Sequence, residues 1–245
     1  MEYILVSENY ENNENILYVR DNLSQIIFKD AKDEVFADKH RVGVRFSLDD
    51  KIIRLAIKDI ADKISDVIAI KYKYAFFNER LKVGGLDCVN REILLTAIIS
   101  ADLYDDKRYV LSKFNCFNEI AIDGFFNFRL ENLKRKWTEI CTFIPEFFTE
   151  RELKEFVLYL INEKTARRVR VNGESVYDRL GNRLKRATLI PGSGLLVFKE
   201  LLLAGVNEIE MFALPSDENE IKYLKDYFGD KILFNSGEIL WQKGV

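Results

Sequence analysis

The chain of 245 residues is poor in the residue types that most catalytic and metal-binding sites use. It contains one His and three Cys, and the cysteines at positions 88, 116 and 141 lie far apart. This spacing excludes a disulfide framework and a cysteine-rich zinc site, because both need clustered cysteines. The sequence therefore predicts reduced, mostly buried thiols, and it offers no catalytic constellation, no metal site and no cofactor motif.

Glycine, proline and long apolar runs are also scarce. Only 12 Gly and 3 Pro are present, which excludes a collagen-like or low-complexity chain. The longest apolar stretch, residues 93–101, is about half of the ~20 residues that a membrane span needs. The first residues, Met1-Glu2-Tyr3, are acidic where a signal peptide is basic. These features predict a cytoplasmic protein without a membrane span.

Apolar residues make up 48% of the chain and charged residues 31%, the composition of a globular protein with a real core. The net charge is −3, so no global positive field points to nucleic acid. The charges are unevenly distributed, because residues 1–50 carry a net −5 and residues 206–245 a net −4. Residues 164–186, called here the basic segment, carry eight basic and two acidic side chains, a net +6.

Hydrophobic periodicity predicts an α+β fold. Residues 1–84 form an amino-terminal mixed α/β segment, with apolar residues alternating over 42–48 as in a half-buried strand and an amphipathic helix over 53–67. Residues 85–163 form a central helical layer, in which Thr149 and Glu152 make a capping box before a helix. These segments pack as one compact unit or as closely joined domains.

The carboxy-terminal segment, 164–245, is predicted to be a small α/β unit. Short strands and hairpin turns follow residue 166, and a helix that is apolar nearly all round lies between the loop 191–194 and Gly205. The order strand, helix, strand over 209–234 predicts a βαβ-like element with parallel strands.

Two short sequences carry a resemblance to a known family. Asp123-Gly124-Phe125, followed by Phe128-Arg129-Leu130, and the later Phe228-Gly229-Asp230 resemble motifs of the YtxC-like family of sporulation proteins. The resemblance covers residues 90–235. In that family the first motif opens a long central helix, and the second follows a Leu-rich helix and a strand.

The resemblance implies a role in the sporulation of Firmicutes, without a known activity and without catalytic residues to carry over. Family members often have cysteines just after the second motif, whereas residues 235–241 have none. The chain therefore resembles a divergent member, and a metal or redox role of those cysteines does not extend to it.

Two features are candidate anion contacts. The basic segment can bind phosphates of nucleic acid, or its arginines can pair with the acidic terminal regions. The loop before the apolar helix can hold a phosphate at the helix N-terminus, or it can be an ordinary helix start. The candidate residues are Arg167, Arg168, Arg170, Arg183, Lys185, Arg186, Gly192, Ser193 and Gly194.

These observations favour a non-catalytic, sporulation-associated factor that acts through contacts with a protein partner. The first alternative is a nucleic-acid-associated protein that uses the basic segment. The second is an enzyme that binds a phosphorylated small molecule at the loop 191–194. The sequence does not predict an oligomeric state.

Overall fold

A computed structural model describes residues 2–24, 27, 31–114, 118–163, 167–192 and 194–235. The chain divides into two compact units. Unit 1 contains Met1–Arg80 and Leu103–Ile144, and unit 2 contains Leu81–Asp102 and Pro145–Val245. Each unit combines helices with a mixed sheet, so the predicted α+β class is confirmed. The three consecutive segments, 1–84, 85–163 and 164–245, stay a prediction.

Unit 1 contains a four-stranded sheet. Its strands are β1 (Glu2–Asn9), β2 (Lys32–Ala37), β3 (Arg41–Leu48) and β4 (Glu119–Ala121), in the order β2-β3-β1-β4 across the sheet. Strand β3 lies antiparallel to both β1 and β2, and β4 lies parallel to β1. The predicted alternation over 42–48 is confirmed, because its even-numbered residues are buried.

The helices of unit 1 include the predicted amphipathic helix. It begins at Ile53 and continues through a π-helical segment, Val67–Tyr72, into the next helix. A π-helix shifts the register of the residues that follow it. The helices are α1 (Asn13–Asp21), α2 (Ile53–Asp66), α3 (Lys73–Arg80), α5 (Leu103–Ser112), α6 (Ile122–Arg129) and α7 (Glu131–Phe143), with α4 belonging to unit 2.

Two polar contacts lie where the π-helical segment ends, one made by Tyr72 and one by Lys73. Tyr72 donates its hydroxyl to the buried Glu8 carboxylate at 2.7 Å. Lys73 is fully buried and its Nζ lies 2.7 Å from Oδ2 of Asp106. The same oxygen accepts the indole N–H of Trp137 at 2.9 Å. These contacts satisfy a buried ion pair, which would otherwise be strongly unfavourable.

The long central helix that the family resemblance implies after the first motif is divided into two helices, α6 and α7. Leu130 leaves the helical region with φ −117° and ψ 31°, and its side chain is fully buried. Phe128, in the turn before it, is 86% exposed. The break places Leu130 in the core and turns α7 to bury Leu133 and Trp137.

Unit 2 contains a five-stranded sheet. Its strands are β5 (Arg168–Asn172), β6 (Ser175–Tyr177), β7 (Arg183–Leu184), β8 (Glu208–Ala213) and β9 (Ile232–Phe234), in the order β7-β6-β5-β8-β9 across the sheet. Strands β5, β8 and β9 are parallel neighbours, and the helix between β8 and β9 completes the predicted βαβ element. The helices are α4 (Cys88–Ala101), α8 (Glu150–Glu163), α9 (Leu196–Ala204) and α10 (Glu218–Phe228).

In unit 2, the predicted capping box and the predicted end of the apolar helix are confirmed. The Thr149 N–H donates to the Glu152 carboxylate at 2.8 Å, and the Glu152 N–H donates to the Thr149 hydroxyl at 3.2 Å, which completes the capping box. Helix α9 is buried over nearly its whole surface and ends at Gly205, whose φ of 61° suits glycine.

The predicted burial of the cysteines is wrong for one of them. Cys88 is exposed at the start of α4, and Cys141 is half-buried. Both are free thiols, and Cys116 lies outside the described residues.

Candidate functional site

The arginines of the basic segment lie on the solvent face of β5. The strand reads Arg-Val-Arg-Val-Asn, and its two valines are buried while its two arginines are exposed. The parallel neighbour β8 reads Glu-Ile-Glu-Met and alternates in the same way. The register pairs Arg168 with Glu208 and Arg170 with Glu210, so opposite charges meet on one face.

These four side chains form an ionic ladder. Arg168 Nε lies 2.9 Å from Oε2 of Glu208, and its Nη1 lies 3.1 Å from Oε1 of Glu210. Arg170 Nε lies 3.2 Å from Oε2 of Glu210. The hydrogen bond to Glu208 raises the pKa of Arg168. Two arginines of the basic segment therefore pair with carboxylates of the acidic region 206–245.

A tight turn at residues 178–182 presents another arginine beside the ladder. The Asp178 carboxylate accepts the backbone N–H groups of Leu180 and Asn182 at 2.9 and 2.8 Å. It also accepts the Asn182 side-chain amide at 3.0 Å. Gly181 has φ 82°, a conformation that few other residues adopt at low cost. The turn carries Arg179 and the 87% exposed Leu180.

The ladder, the turn and the end of α9 border two adjoining hollows, open to solvent, of ≈ 420 and ≈ 360 Å³, which share Arg168, Val169 and Arg179. We call them together the arginine cleft. Its charged lining is Arg167, Arg168, Arg170, Arg179, Arg186, Asp178 and Glu210, and its apolar lining is Val169, Leu180, Leu184, Ala204 and Val206.

The lining of the arginine cleft holds more cations than anions. Five arginines line it together with the carboxylates of Asp178 and Glu210, and Glu208 pairs with Arg168 beside it. Arg167 donates Nη1 to the Ala204 carbonyl at 3.5 Å, at the C-terminal end of α9, where a cation is favoured.

The other candidates from the basic segment lie beside this cleft. Arg183 and Lys185 are not part of its lining in the described portion of the chain, whereas Arg186 is. Sequence reasoning singled out neither Glu208 nor Glu210 as a partner. The matching alternation of Arg in β5 and Glu in β8 is the signal that could have found them.

Two N–H groups in the first turn of α9 are already bonded. The buried Glu220 carboxylate of α10 accepts the Phe198 N–H at 3.0 Å and also the Val197 N–H. The Glu92 carboxylate lies against Gly192 and pairs with the buried Lys199 Nζ at 2.8 Å. Ser193 lies outside the described residues, and Gly194 is exposed. This geometry favours an ordinary helix start.

The first family motif lies at the start of α6, where β4 ends. Asp123 accepts Arg41 Nη2 at 2.8 Å and Nη1 at 3.3 Å, and Arg41 also reaches the Ser7 hydroxyl at 3.2 Å. Burial alone would raise the pKa of Asp123, but the hydrogen bonds from Arg41 and from the Gly124 N–H lower it. The motif aspartate therefore anchors α6 to β3.

The remaining motif residues are structural or exposed. The Phe125 ring stacks on Phe114 with centroids 4.4 Å apart, and Arg129 is exposed. Phe228 is fully buried and its ring packs 5.8 Å from that of Phe198. Gly229 and Asp230 form a short 3-10 turn before β9.

A buried carboxylate lies near the Asp123–Arg41 pair. Glu8 is inaccessible to solvent, and it accepts the Asn9 N–H at 2.9 Å and the Asn15 amide at 3.2 Å, besides the Tyr72 hydroxyl. Burial raises the pKa of Glu8 in spite of these donors. The group is enclosed by protein atoms and is not accessible to a ligand.

The described residues give no support to a metal centre. Among them, no three His, Cys, Asp or Glu side chains come together as metal ligands would. Within the same part of the chain, no helix has both the length and the apolar character that crossing a bilayer requires.

Comparisons of the chain with protein-family models, with curated proteins and with solved structures find no match.

Proposed function

We propose that the protein is a non-catalytic factor that acts through protein contacts, and that it holds an acidic, partly apolar segment of a partner protein in the arginine cleft. The observation that carries the proposal is the group of five arginines beside the exposed side chain of Leu180. Arginine and apolar side chains together are typical of protein interfaces.

The lining of the arginine cleft separates a protein ligand from single-stranded nucleic acid. Within the described residues, no aromatic side chain lines it. Proteins that bind single strands stack the bases on aromatic rings. Apolar side chains such as the exposed Leu180 instead match an aliphatic residue of a peptide.

The proposal is tested by binding of a labelled peptide of glutamates and leucines. The variant Arg168→Gln/Arg179→Gln removes two cations from the arginine cleft, and we expect it to weaken binding by about tenfold, because exposed ion pairs contribute up to ~1 kcal/mol each. A matched control, Arg54→Gln/Lys58→Gln on the exposed face of α2, makes the same change in net charge away from the cleft.

The two variants give distinct outcomes. Loss of binding in the cleft variant alone supports the proposal. An equal loss in both variants would mean that binding follows net charge, and no binding by the unaltered protein would overturn the proposal outright.

The proposal extends to membership of the YtxC-like family, a role in sporulation and a cytoplasmic location. The support for this part is the resemblance of residues 123–130 and 228–230 to the motifs of that family. The test is deletion of the gene in its own host, followed by a count of heat-resistant spores. Normal sporulation of the deletion strain would contradict this part of the proposal.

A further inference from the structure

One face of the five-stranded sheet in unit 2 is exposed to solvent. Along β5, β8 and β9, buried residues alternate with exposed or half-buried ones, so one face of these strands is packed and the other is open. Parallel strands in proteins normally have both faces covered. An open face on three parallel neighbours therefore indicates that a further layer of protein packs there. We call it the open sheet face.

The open sheet face combines balanced charges with apolar side chains. Its ionic ladder holds two arginines on β5 against two glutamates on β8. Phe212 and Leu233 are 46% and 55% exposed, and the alternation and register of their strands place them on the same face. A row of four side chains crosses this face in the order Tyr177, Arg170, Glu210 and Leu233. A complementary surface therefore presents glutamate opposite arginine and apolar groups opposite Tyr177 and Leu233.

A second copy of the chain presents such a surface. Let two copies place their open sheet faces together about a twofold axis that runs along the strands, between β5 and β8. Strand β5 of each copy then lies over β8 of the other, so every arginine of the ionic ladder meets a glutamate, and Tyr177 meets Leu233. Stacked sheets lie about 10 Å apart with their strands within about 30° of each other, a spacing that these side chains bridge.

The charges select this arrangement over the other symmetric one. A twofold axis that lies in the interface but runs across the strands would place β5 over β5. Arginine would then meet arginine, and glutamate would meet glutamate. Charges across an interface contribute mainly to register and specificity, whereas buried apolar area supplies most of the affinity.

We infer that the protein partner held at the arginine cleft is a second copy of this chain, and that its acidic, partly apolar segment is β8, which presents Glu208, Glu210 and Phe212. This inference rests on the proposed function, since it names the partner of the same site. The open sheet face includes Arg168, Arg170 and Glu210 of the arginine cleft.

The size of the open sheet face predicts a weak dimer. Five strands spaced ~4.8 Å apart make a face only about 20 Å wide. Interfaces that bury less than about 1,200 Å² in total are typically weak. We therefore expect the two copies to dissociate at micromolar concentrations.

The first test is sedimentation of the full chain over a range of concentrations. The unaltered chain should pass from monomer to dimer between about 1 and 500 µM. The variant Phe212→Ser should weaken the dimer by at least about tenfold, because it removes a large apolar side chain from the interface. The matched control is Tyr159→Ser, which changes a 61% exposed aromatic residue of α8 and should leave the dimer unchanged.

The second test exchanges the charges of the ionic ladder. The fourfold variant Arg168→Glu/Arg170→Glu/Glu208→Arg/Glu210→Arg keeps the net charge, the opposite charges within the chain and the match between two identical copies. It should fold and dimerise with itself as the unaltered chain does. It should not pair with the unaltered chain, because like charges would then face each other across the interface. Sedimentation of a labelled trace of one form in an excess of the other measures this pairing.

The outcomes separate this inference from the proposed function. A chain that stays monomeric over this range but binds the labelled peptide of glutamates and leucines would overturn the inference and leave the proposed function standing. A chain that neither dimerises nor binds the peptide would overturn both. Equal pairing of the fourfold variant with itself and with the unaltered chain would also overturn the inference, because another surface would then join the copies.

Discussion

At the scale of single residues, ion pairs of the chain occur both in the core and on the solvent-exposed surface. Lys73 and Asp106 are fully buried and satisfied by protein groups. Arg168 and Arg170 are about half exposed, and their carboxylate partners lie on the neighbouring strand. Buried pairs are costly to break, whereas exposed pairs contribute little to stability and stay available to a ligand.

Glu8 gives a prediction for the dependence of stability on pH. Burial raises its pKa above 4.5 in the folded chain, so folding favours the protonated form. The stabilising contribution of protonated Glu8 is complete below the unfolded pKa and is lost as pH rises through the folded pKa. The variant Glu8→Gln keeps an acceptor for Tyr72 and does not titrate.

We therefore expect the unfolding free energy of the unaltered chain, relative to that of Glu8→Gln, to fall between pH 4 and pH 8. Urea unfolding at several pH values measures this difference. Glu11→Gln, in the exposed turn Tyr10–Asn12, is the control. A difference that grows with pH for Glu8→Gln would contradict the assigned direction.

At the scale of helices and strands, local patterns predicted the elements whose signals lie within a few residues. The alternation of β3 and the capping box of α8 needed no distant partner. Strand β2 escaped prediction because all six of its residues are exposed, which leaves no alternation to detect. The short strand β4 is defined by parallel pairing with β1, more than a hundred residues away.

The candidate site was predictable in composition but not in geometry. The candidates predicted from the basic segment include four residues that line the arginine cleft, Arg167, Arg168, Arg170 and Arg186. The carboxylates that pair with Arg168 and Arg170 are 40 residues distant from these arginines in sequence. Only the register of β5 on β8 brings them together.

Helix α9 gives a prediction at this scale. Its first N–H groups donate to the buried Glu220 carboxylate of α10, and the variant Glu220→Ala leaves them without that acceptor. Unsatisfied buried donors cost ~1–3 kcal/mol, so the unfolding free energy should fall by about that amount.

The control for this helix cap is Glu220→Gln. It keeps a side-chain oxygen for the Phe198 N–H, so it should retain most of the stability in the same urea titration. Equal destabilisation by the two variants would show that the carboxylate charge, and not the cap, provides the stabilisation.

At the scale of the whole molecule, a net charge of −3 coexists with a cleft that five arginines line. Attraction of an acidic partner is therefore a short-range effect of one surface. Salt screens exposed charges over about 8–10 Å at physiological ionic strength, and it screens buried pairs far less.

Binding and stability should therefore respond differently to salt. Raising NaCl from about 0.05 to 0.5 M should weaken binding of the labelled peptide of glutamates and leucines by more than about tenfold, because the guanidinium groups of Arg168 and Arg170 are exposed. The unfolding free energy should change by less than about 1 kcal/mol, because exposed pairs such as Arg168–Glu208 contribute little and the Lys73–Asp106 pair is buried. Fluorescence anisotropy of the labelled peptide and urea unfolding, performed in the same buffers, measure the two quantities. A parallel loss of stability and binding would mean that the ladder holds unit 2 together, and that its arginines are structural residues instead of a ligand site.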